Sequence, residues 1–319
     1  MKEKILAVVG PTASGKTALS IRLANELDGE IVSCDSMQIY RGMRIGTAAP
    51  TVEEMEGIPH HLIGFQSPDE EFSVADYRER AAACIADITA RGKTPILCGG
   101  TGLYLDSLLY VSAFAEVEKS DILRRDLADF AARNGNEALH ARLAEVDPTA
   151  AEAIHPNNVR RVIRALEIYQ LTGVTKTEWD KRSLSPEAAY DARILALDYH
   201  DRSILHRRIE MRVDIMMEQG LEAEVRALYE AGLLREKSIA AQAIGYKEFL
   251  PYLAGESTLA VVAEEIKCAT RRYARRQLTW FRRYANAMWL YPDTEGMPEA
   301  PLKSADELVR EVLDSGYLP

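Results

Sequence analysis

The segment Gly10-Pro11-Thr12-Ala13-Ser14-Gly15-Lys16-Thr17 constrains this chain more than any other. It fits the pattern G-x-x-x-x-G-K-[ST] at every position, and it lies between an apolar run at 5–9 and an amphipathic stretch at 16–27. Strand, glycine-rich turn and helix in that order make a phosphate cradle. The glycines let the backbone curl so that its N–H groups point inward, and the helix N-terminus adds partial positive charge. Lys16 would reach the outer phosphate oxygens, and the Thr17 hydroxyl would hold magnesium. The motif specifies a di- or triphosphate and leaves its identity open.

Further short apolar runs follow at 31–33, 95–98, 193–197 and 287–290, separated by helical stretches such as 73–91 and 206–219. Alternation of this kind predicts an α/β fold, a P-loop NTPase-like parallel sheet with helices on both faces. The rhythm breaks between 112 and 190, where the periodicity predicts helices at 121–132, 137–145 and 159–171, with another starting at Asp147-Pro148. The expected organisation is an α/β core from 1–112 and 191–319, with C-terminal helices, and an all-helical domain, 113–190, inserted into it. The 319 residues suit about two domains. No apolar run approaches the roughly 20 residues of a membrane span. The N-terminal run is too short for a signal peptide and has no cleavage site. Cys34, Cys84, Cys98 and Cys268 show no paired spacing, so neither disulfides nor zinc are expected, and the chain reads as cytoplasmic.

A hydrolytic P-loop protein needs a strand ending in Asp to help hold magnesium. Here the run 95–98 leads into Gly99-Gly100-Thr101-Gly102, and the carboxylate comes one strand earlier, at Asp35-Ser36. At the carboxyl end of its strand Asp35 faces the ligand crevice. Position alone leaves it as a general base, an outer partner of magnesium or a turn residue.

The charge count, 39 Lys+Arg against 49 Asp+Glu for a net −10, argues by itself against a nucleic-acid partner. The arginines, however, are gathered. On one helix Arg271, Arg272, Arg275, Arg276, Arg282 and Arg283 fall within an arc of about 140°, opposite an apolar face that includes Gln277. Arg160, Arg161 and Arg164 fall within about 100° on another. Arg208 and Arg212, one turn apart, could clamp one anion. A solvated face explains any single cluster, but three in an acidic chain predict segregated positive charge that attracts a polyanion.

These residues resemble the tRNA dimethylallyltransferases, also called tRNA isopentenyltransferases, from the P-loop nearly to the C-terminus. Asp35-Ser36-Met37-Gln38-Ile39-Tyr40 is similar to the family's D-S-x-Q-x-Y, and is followed by Gly42-Met43 and Ile45-Gly46-Thr47-Ala48. Pro59-His60-His61, Gly99-Gly100-Thr101-Gly102-Leu103-Tyr104 and Arg161-x-x-Arg164-Ala165-Leu166-Glu167 come next. Gly220-Leu221 with Glu224-Val225, Ile244-Gly245-Tyr246-Lys247-Glu248 and the run from Arg275 to Arg282 complete the set.

The resemblance implies transfer of a dimethylallyl group from dimethylallyl diphosphate to the N6 amine of the adenosine 3′ to the anticodon, in tRNAs reading codons that begin with U. It implies Asp35 as general base and Thr101 beside the adenosine and the diphosphate. The P-loop, Lys16, Arg208 and Arg212 would neutralise the diphosphate, with magnesium on Thr17 as cofactor. Asp35, Ser36, Met37, Gln38, Thr101 and the turn Ile244, Gly245, Tyr246 and Lys247 would meet the nucleotides. Arg124, Arg160, Arg161 and Arg164 of the insert, with Arg275, Arg276 and Arg282, would grip the anticodon stem-loop. No Cys/His pair follows, so a bacterial-type enzyme is implied, monomeric and without a membrane partner. The competing readings are an adenylate isopentenyltransferase acting on free AMP, ADP or ATP, and a small-molecule P-loop kinase.

Overall fold

A computed structural model describes residues 2–110, 120–183, 188–234, 238–297 and 299–318. The chain divides into two compact units, residues 1–109 with 190–319, and residues 110–189. The expected boundary at 112/113 lies outside the described residues.

The larger unit is built on six strands, β1 (Lys4–Val9), β2 (Gly29–Ser33), β3 (His60–His61), β4 (Thr94–Gly99), β5 (Asp191–Leu197) and β6 (Met288–Leu290). They form one sheet in the order β3-β2-β4-β1-β5-β6, with every pair parallel. Alternation along β1 shows how both faces are used. Ile5, Ala7 and Val9 enter one apolar cluster, while Leu6 and Val8 enter another. Register brings the carboxyl ends together, Val9 beside Gly99 and Ser33 beside Cys98.

Three helices precede the smaller unit: α1 (Lys16–Glu26), α2 (Val74–Ala90) and α3 (Gly102–Leu109). Ser73 begins α2 as a capping box with Asp76, satisfying backbone donors at the helix start. The smaller unit carries α4 (Asp121–Asn134), α5 (Asn136–Val146), α6 (Pro148–Ala153), α7 (Val159–Thr172) and α8 (Lys176–Ser183). Leu127, Leu139, Leu143, Val162 and Leu166 are among its buried residues. Asp147 caps α6 by accepting the Ala150 N–H, and also takes the Thr177 N–H and hydroxyl. The larger unit resumes with α9 (Arg202–Glu218), α10 (Leu221–Glu230), α11 (Leu250–Leu253), α12 (Leu259–Phe281) and α13 (Ala305–Asp314).

The expected strands are all present. The structure adds β3, too short for any periodicity, β6 within the run 287–290, and helices α3, α8, α10 and α11. The arginine-bearing helix differs from the expectation at both ends. It starts at Leu259 behind a Thr258 cap and closes at Phe281, so Arg282 is its C-cap and Arg283 lies beyond it.

Candidate active site

The carboxyl ends of β1, β2 and β4 open into a cavity of about 310 Å³. Thr12, Ala13, Lys16 and Thr17 line it from the glycine-rich loop and the first turn of α1. Gly15 enters that helix with φ 96°, a left-handed conformation that costs a side chain free energy. Ala13 also takes positive φ, 62°, and Arg208 Nε donates to its carbonyl at 2.9 Å. Lys16 Nζ donates to the Pro11 carbonyl at 2.7 Å. Burial pulls the Lys16 ammonium down to about 8; Arg212 pushes the same way, against the thiol of Cys98 and the carboxylate of Asp35.

Asp35 follows β2 and lines the same cavity. Its Oδ1 accepts the N–H groups of Met37 at 2.9 Å and Gln38 at 3.4 Å, an Asx turn that fixes the side chain. Burial pushes its carboxyl above the usual range, and the Met37 N–H and Lys16 only partly oppose that. Arg212 reaches the cavity from α9, and burial, then Arg208, lowers its pKa as well. Asp35, Lys16 and Arg212 are thus all held where ionisation is costly. Ile209, Val213 and Met216 of α9 and Ile266 of α12 supply an apolar wall beside these charges.

Ser36, Met37 and Gln38 line the cavity, as do Ile244 and Lys247, while Tyr246 packs behind them with its ring buried. Thr101 stands one layer back. It does not line the cavity; its Oγ1 accepts the Ser36 N–H at 3.0 Å, and its own N–H donates to the Cys34 carbonyl. Of the α12 arginines only Arg276 reaches the cavity, with Tyr273 and Gln277 beside it.

The structure separates arginines that the sequence groups. Arg212 lines the cavity, whereas Arg208 is turned to the Ala13 carbonyl and braces the loop from behind. The six arginines near the end of α12 are not one open stripe. Arg271 pairs with Glu210 at 2.6 Å, Arg282 with Asp198 at 3.3 Å and Arg283 with Asp106 at 2.7 Å. Each acid comes from a distant element, which helical periodicity alone cannot show. All but Arg271 are nonetheless exposed, so the pairing offsets the charge of Arg282 and Arg283 without burying it.

In the smaller unit Arg160 and Arg161 are exposed at the start of α7. Arg124 and Arg164 instead converge on Glu167, which is fully buried. Arg124 bonds it through Nε and a terminal nitrogen, both at 2.8 Å, and Arg164 at 2.6 Å. Burial pushes the Glu167 carboxyl up, but hydrogen bonds from Arg124, Arg164 and the Ser120 N–H outweigh it and hold the group below its usual range.

Gln277 is the residue that sequence reasoning left without a role. Buried on the inner face of α12, it accepts the Thr12 N–H at Oε1 and donates from Nε2 to the Gly100 carbonyl, each at 2.9 Å. It thereby staples the phosphate loop to the turn after β4. A polar side chain on an otherwise apolar helix face was the signal. Tyr273, Gln242 and Thr270 also line the cavity and left no such mark.

The residues present suit magnesium only with help from a substrate. Among the described residues no group of three or more His, Cys, Asp or Glu could hold a metal. Thr17 and Asp35 line one cavity, and magnesium is usually held by one or two protein oxygens together with substrate phosphates.

A glycine-rich strand–turn–helix element at the carboxyl ends of a parallel sheet, its lysine lining the cavity, places the chain in the P-loop-like α/β class. The missing acid at the end of β4 and the carboxylate after β2 set it apart from the hydrolytic members of that class. The chain belongs to the IPP transferase family, whose model matches residues 38–284. It is 48% identical over 289 residues to a tRNA dimethylallyltransferase of Halalkalibacterium halodurans, covering 91% of each chain. It is 49% identical over 301 residues to one of Bacillus cytotoxicus, covering 94% of each. Among solved structures, a tRNA isopentenylpyrophosphate transferase of Bacillus halodurans superposes with a TM-score of 0.71 at 43% identity, covering 99% of this chain and 97% of that one. A eukaryotic dimethylallyltransferase acting on tRNA superposes with a TM-score of 0.79 at 30% identity, covering 98% and 79%.

Proposed function

We propose that this protein transfers a dimethylallyl group from dimethylallyl diphosphate to the N6 amine of the adenosine 3′ to the anticodon of tRNA. The observation that carries this reading is the composition of one cavity. Lys16 of the phosphate loop with Arg212 of α9, a small apolar wall and a carboxylate of raised pKa face the same space. A diphosphate, a short hydrocarbon and an amine about to lose a proton require those three surfaces.

In the reaction the amine nitrogen attacks the first carbon of the dimethylallyl group, a C–N bond forms, and the bond from that carbon to the diphosphate oxygen breaks. Loop N–H groups, Lys16 and Arg212 take up the charge that develops on the leaving diphosphate. Thr17 would hold magnesium, which when bound neutralises diphosphate charge. Asp35 accepts the amine proton, and its raised pKa makes it a stronger base than an ordinary aspartate. Burial of Lys16 and Arg212 serves the same end, since a charge deprived of water is repaid most fully by an anion placed against it. Thr101 acts from behind, holding the Ser36 N–H and so the turn that presents Asp35.

We assign the exposed Arg160 and Arg161, with Arg275 and Arg276, to the phosphates of the anticodon stem-loop. Arg124, Arg164 and Arg282 would contribute by holding those surfaces in shape. The described residues include no helix long and apolar enough to cross a membrane. We place the reaction in the cytoplasm with a monomeric enzyme. Incubation with labelled dimethylallyl diphosphate and either an anticodon stem-loop or AMP tests the proposal. Label on the stem-loop is the expected result; label on AMP instead would make the protein an adenylate isopentenyltransferase.

A further inference from the structure

Three sequence segments that have no shared role so far meet at one carboxylate. Glu224, on α10, accepts the Arg44 N–H at 2.9 Å and the Ile45 N–H at 2.8 Å through Oε2. Its Oε1 accepts the Gly46 N–H at 3.1 Å and the Tyr246 hydroxyl at 2.6 Å. A carboxylate offers about four lone-pair sites, and these donors occupy them all. Burial first, then the Glu224 charge, pushes the Tyr246 hydroxyl far up, so it stays a donor.

The bonded residues belong to two walls of the cavity, Gly46 in its lining and Arg44, Ile45 and Tyr246 outside it. Gly46, Thr47 and Ala48 line one wall, and Ala243, Ile244 and Lys247 line the other. Glu224 itself lines neither. The fit between the walls is close, because a Cβ on Gly46 would lie 2.5 Å from the Tyr246 ring. Gln38 Nε2 also reaches the Thr47 carbonyl at 3.4 Å and the Ala48 carbonyl at 3.3 Å. The diphosphate-binding groups, by contrast, are fixed by contacts that do not pass through Glu224: Pro11 on Lys16, Arg208 on Ala13 and Gln277 on Thr12.

We propose that Glu224 is a positioning residue for the acceptor nucleotide, setting the gap between the 46–48 and 243–247 walls without touching either substrate. This rests on the proposed transfer reaction and adds a division of labour to it: one half of the cavity is tuned from α10, the other from the phosphate loop.

Glu224→Gln keeps the shape but leaves one acceptor oxygen and introduces donors facing backbone N–H groups. The expected result is a rise of about tenfold in KM for an anticodon stem-loop, with the dissociation constant for dimethylallyl diphosphate unchanged. Tyr246→Phe removes one of the four bonds and should shift the same constant in the same direction by less. Direct titration of the stem-loop RNA against both variants reads the effect even without turnover. Parallel loss of affinity for both substrates, or wild-type stem-loop affinity in both variants, would overturn the proposal. Failure of the underlying reaction would show separately, as no transfer of label by the unaltered protein.

Discussion

Buried charge is handled in opposite ways in the core of the helical unit and around the cavity of the α/β unit. In the helical unit Glu167 is fully buried, yet two arginines and a backbone N–H surround it, and its pKa falls. In the α/β unit the charges around the cavity are pushed toward neutrality: Lys16 down, Arg212 down, Asp35 up, each chiefly by burial. The first arrangement is electrostatically complete and serves architecture. The second is incomplete without a ligand, and perturbation of this kind marks a site where chemistry happens. An ion pair in a structure therefore says little about function until the direction of the shift is known.

Substitutions can break this contrast. The largest effect is expected from Asp35→Asn, which should lower kcat by about a hundred- to ten-thousandfold. Its melting temperature should not fall, because a costly buried carboxylate is replaced by an amide that can still accept the Met37 N–H. Single-turnover transfer and thermal unfolding on the same sample check both halves. Glu167→Gln should do the reverse, destabilising the protein by about 3 kcal/mol in urea while dimethylallyl diphosphate affinity is unchanged.

Acid and base should separate the two regions as well. Glu167 has a folded pKa below its unfolded one, so the stability it adds is present above the ordinary carboxylate range and lost as pH falls through the folded value. That acid limb should shrink in Glu167→Gln, as read by pH-dependent unfolding. Lys16 loses its charge as pH rises through about 8, so diphosphate affinity of the free protein should weaken above that pH. Calorimetric titration across the range should show the limb, and Lys16→Arg should flatten it. The smallest effect concerns RNA. Arg275→Gln should reduce the slope of log affinity against log salt for an anticodon stem-loop by about 1. Arg282→Gln should reduce it by less, because Asp198 already offsets that charge.

Much of the fold could be read before the structure, because apolar runs of period and length typical of buried strands are local signals. The runs at 5–9, 31–33, 95–98 and 193–197 became β1, β2, β4 and β5. The phosphate loop and Asp35 were legible for the same reason: their chemistry depends on neighbours in sequence. What escaped depends on neighbours in space. Helical geometry put six arginines on one arc, but the acids that meet Arg271, Arg282 and Arg283 lie more than sixty residues away in sequence for the first and farther still for the others. The clamp from Glu224 to residues 44–46 spans a similar gulf, and no periodicity encodes it. Gln277 lay in between, visible as an oddity on an apolar face but silent about which groups it would join.

That glutamine has a mechanical consequence. Arg276 and Gln277 are adjacent on α12, one exposed and the other wedged between the Thr12 N–H and the Gly100 carbonyl. A helix is stiff along its axis, so its outer and inner faces cannot move independently. The surface assigned to RNA phosphates and the loop assigned to the leaving group are two sides of a single beam. Whatever factor RNA binding at that surface applies to diphosphate affinity, thermodynamic reciprocity requires the diphosphate to apply to RNA affinity.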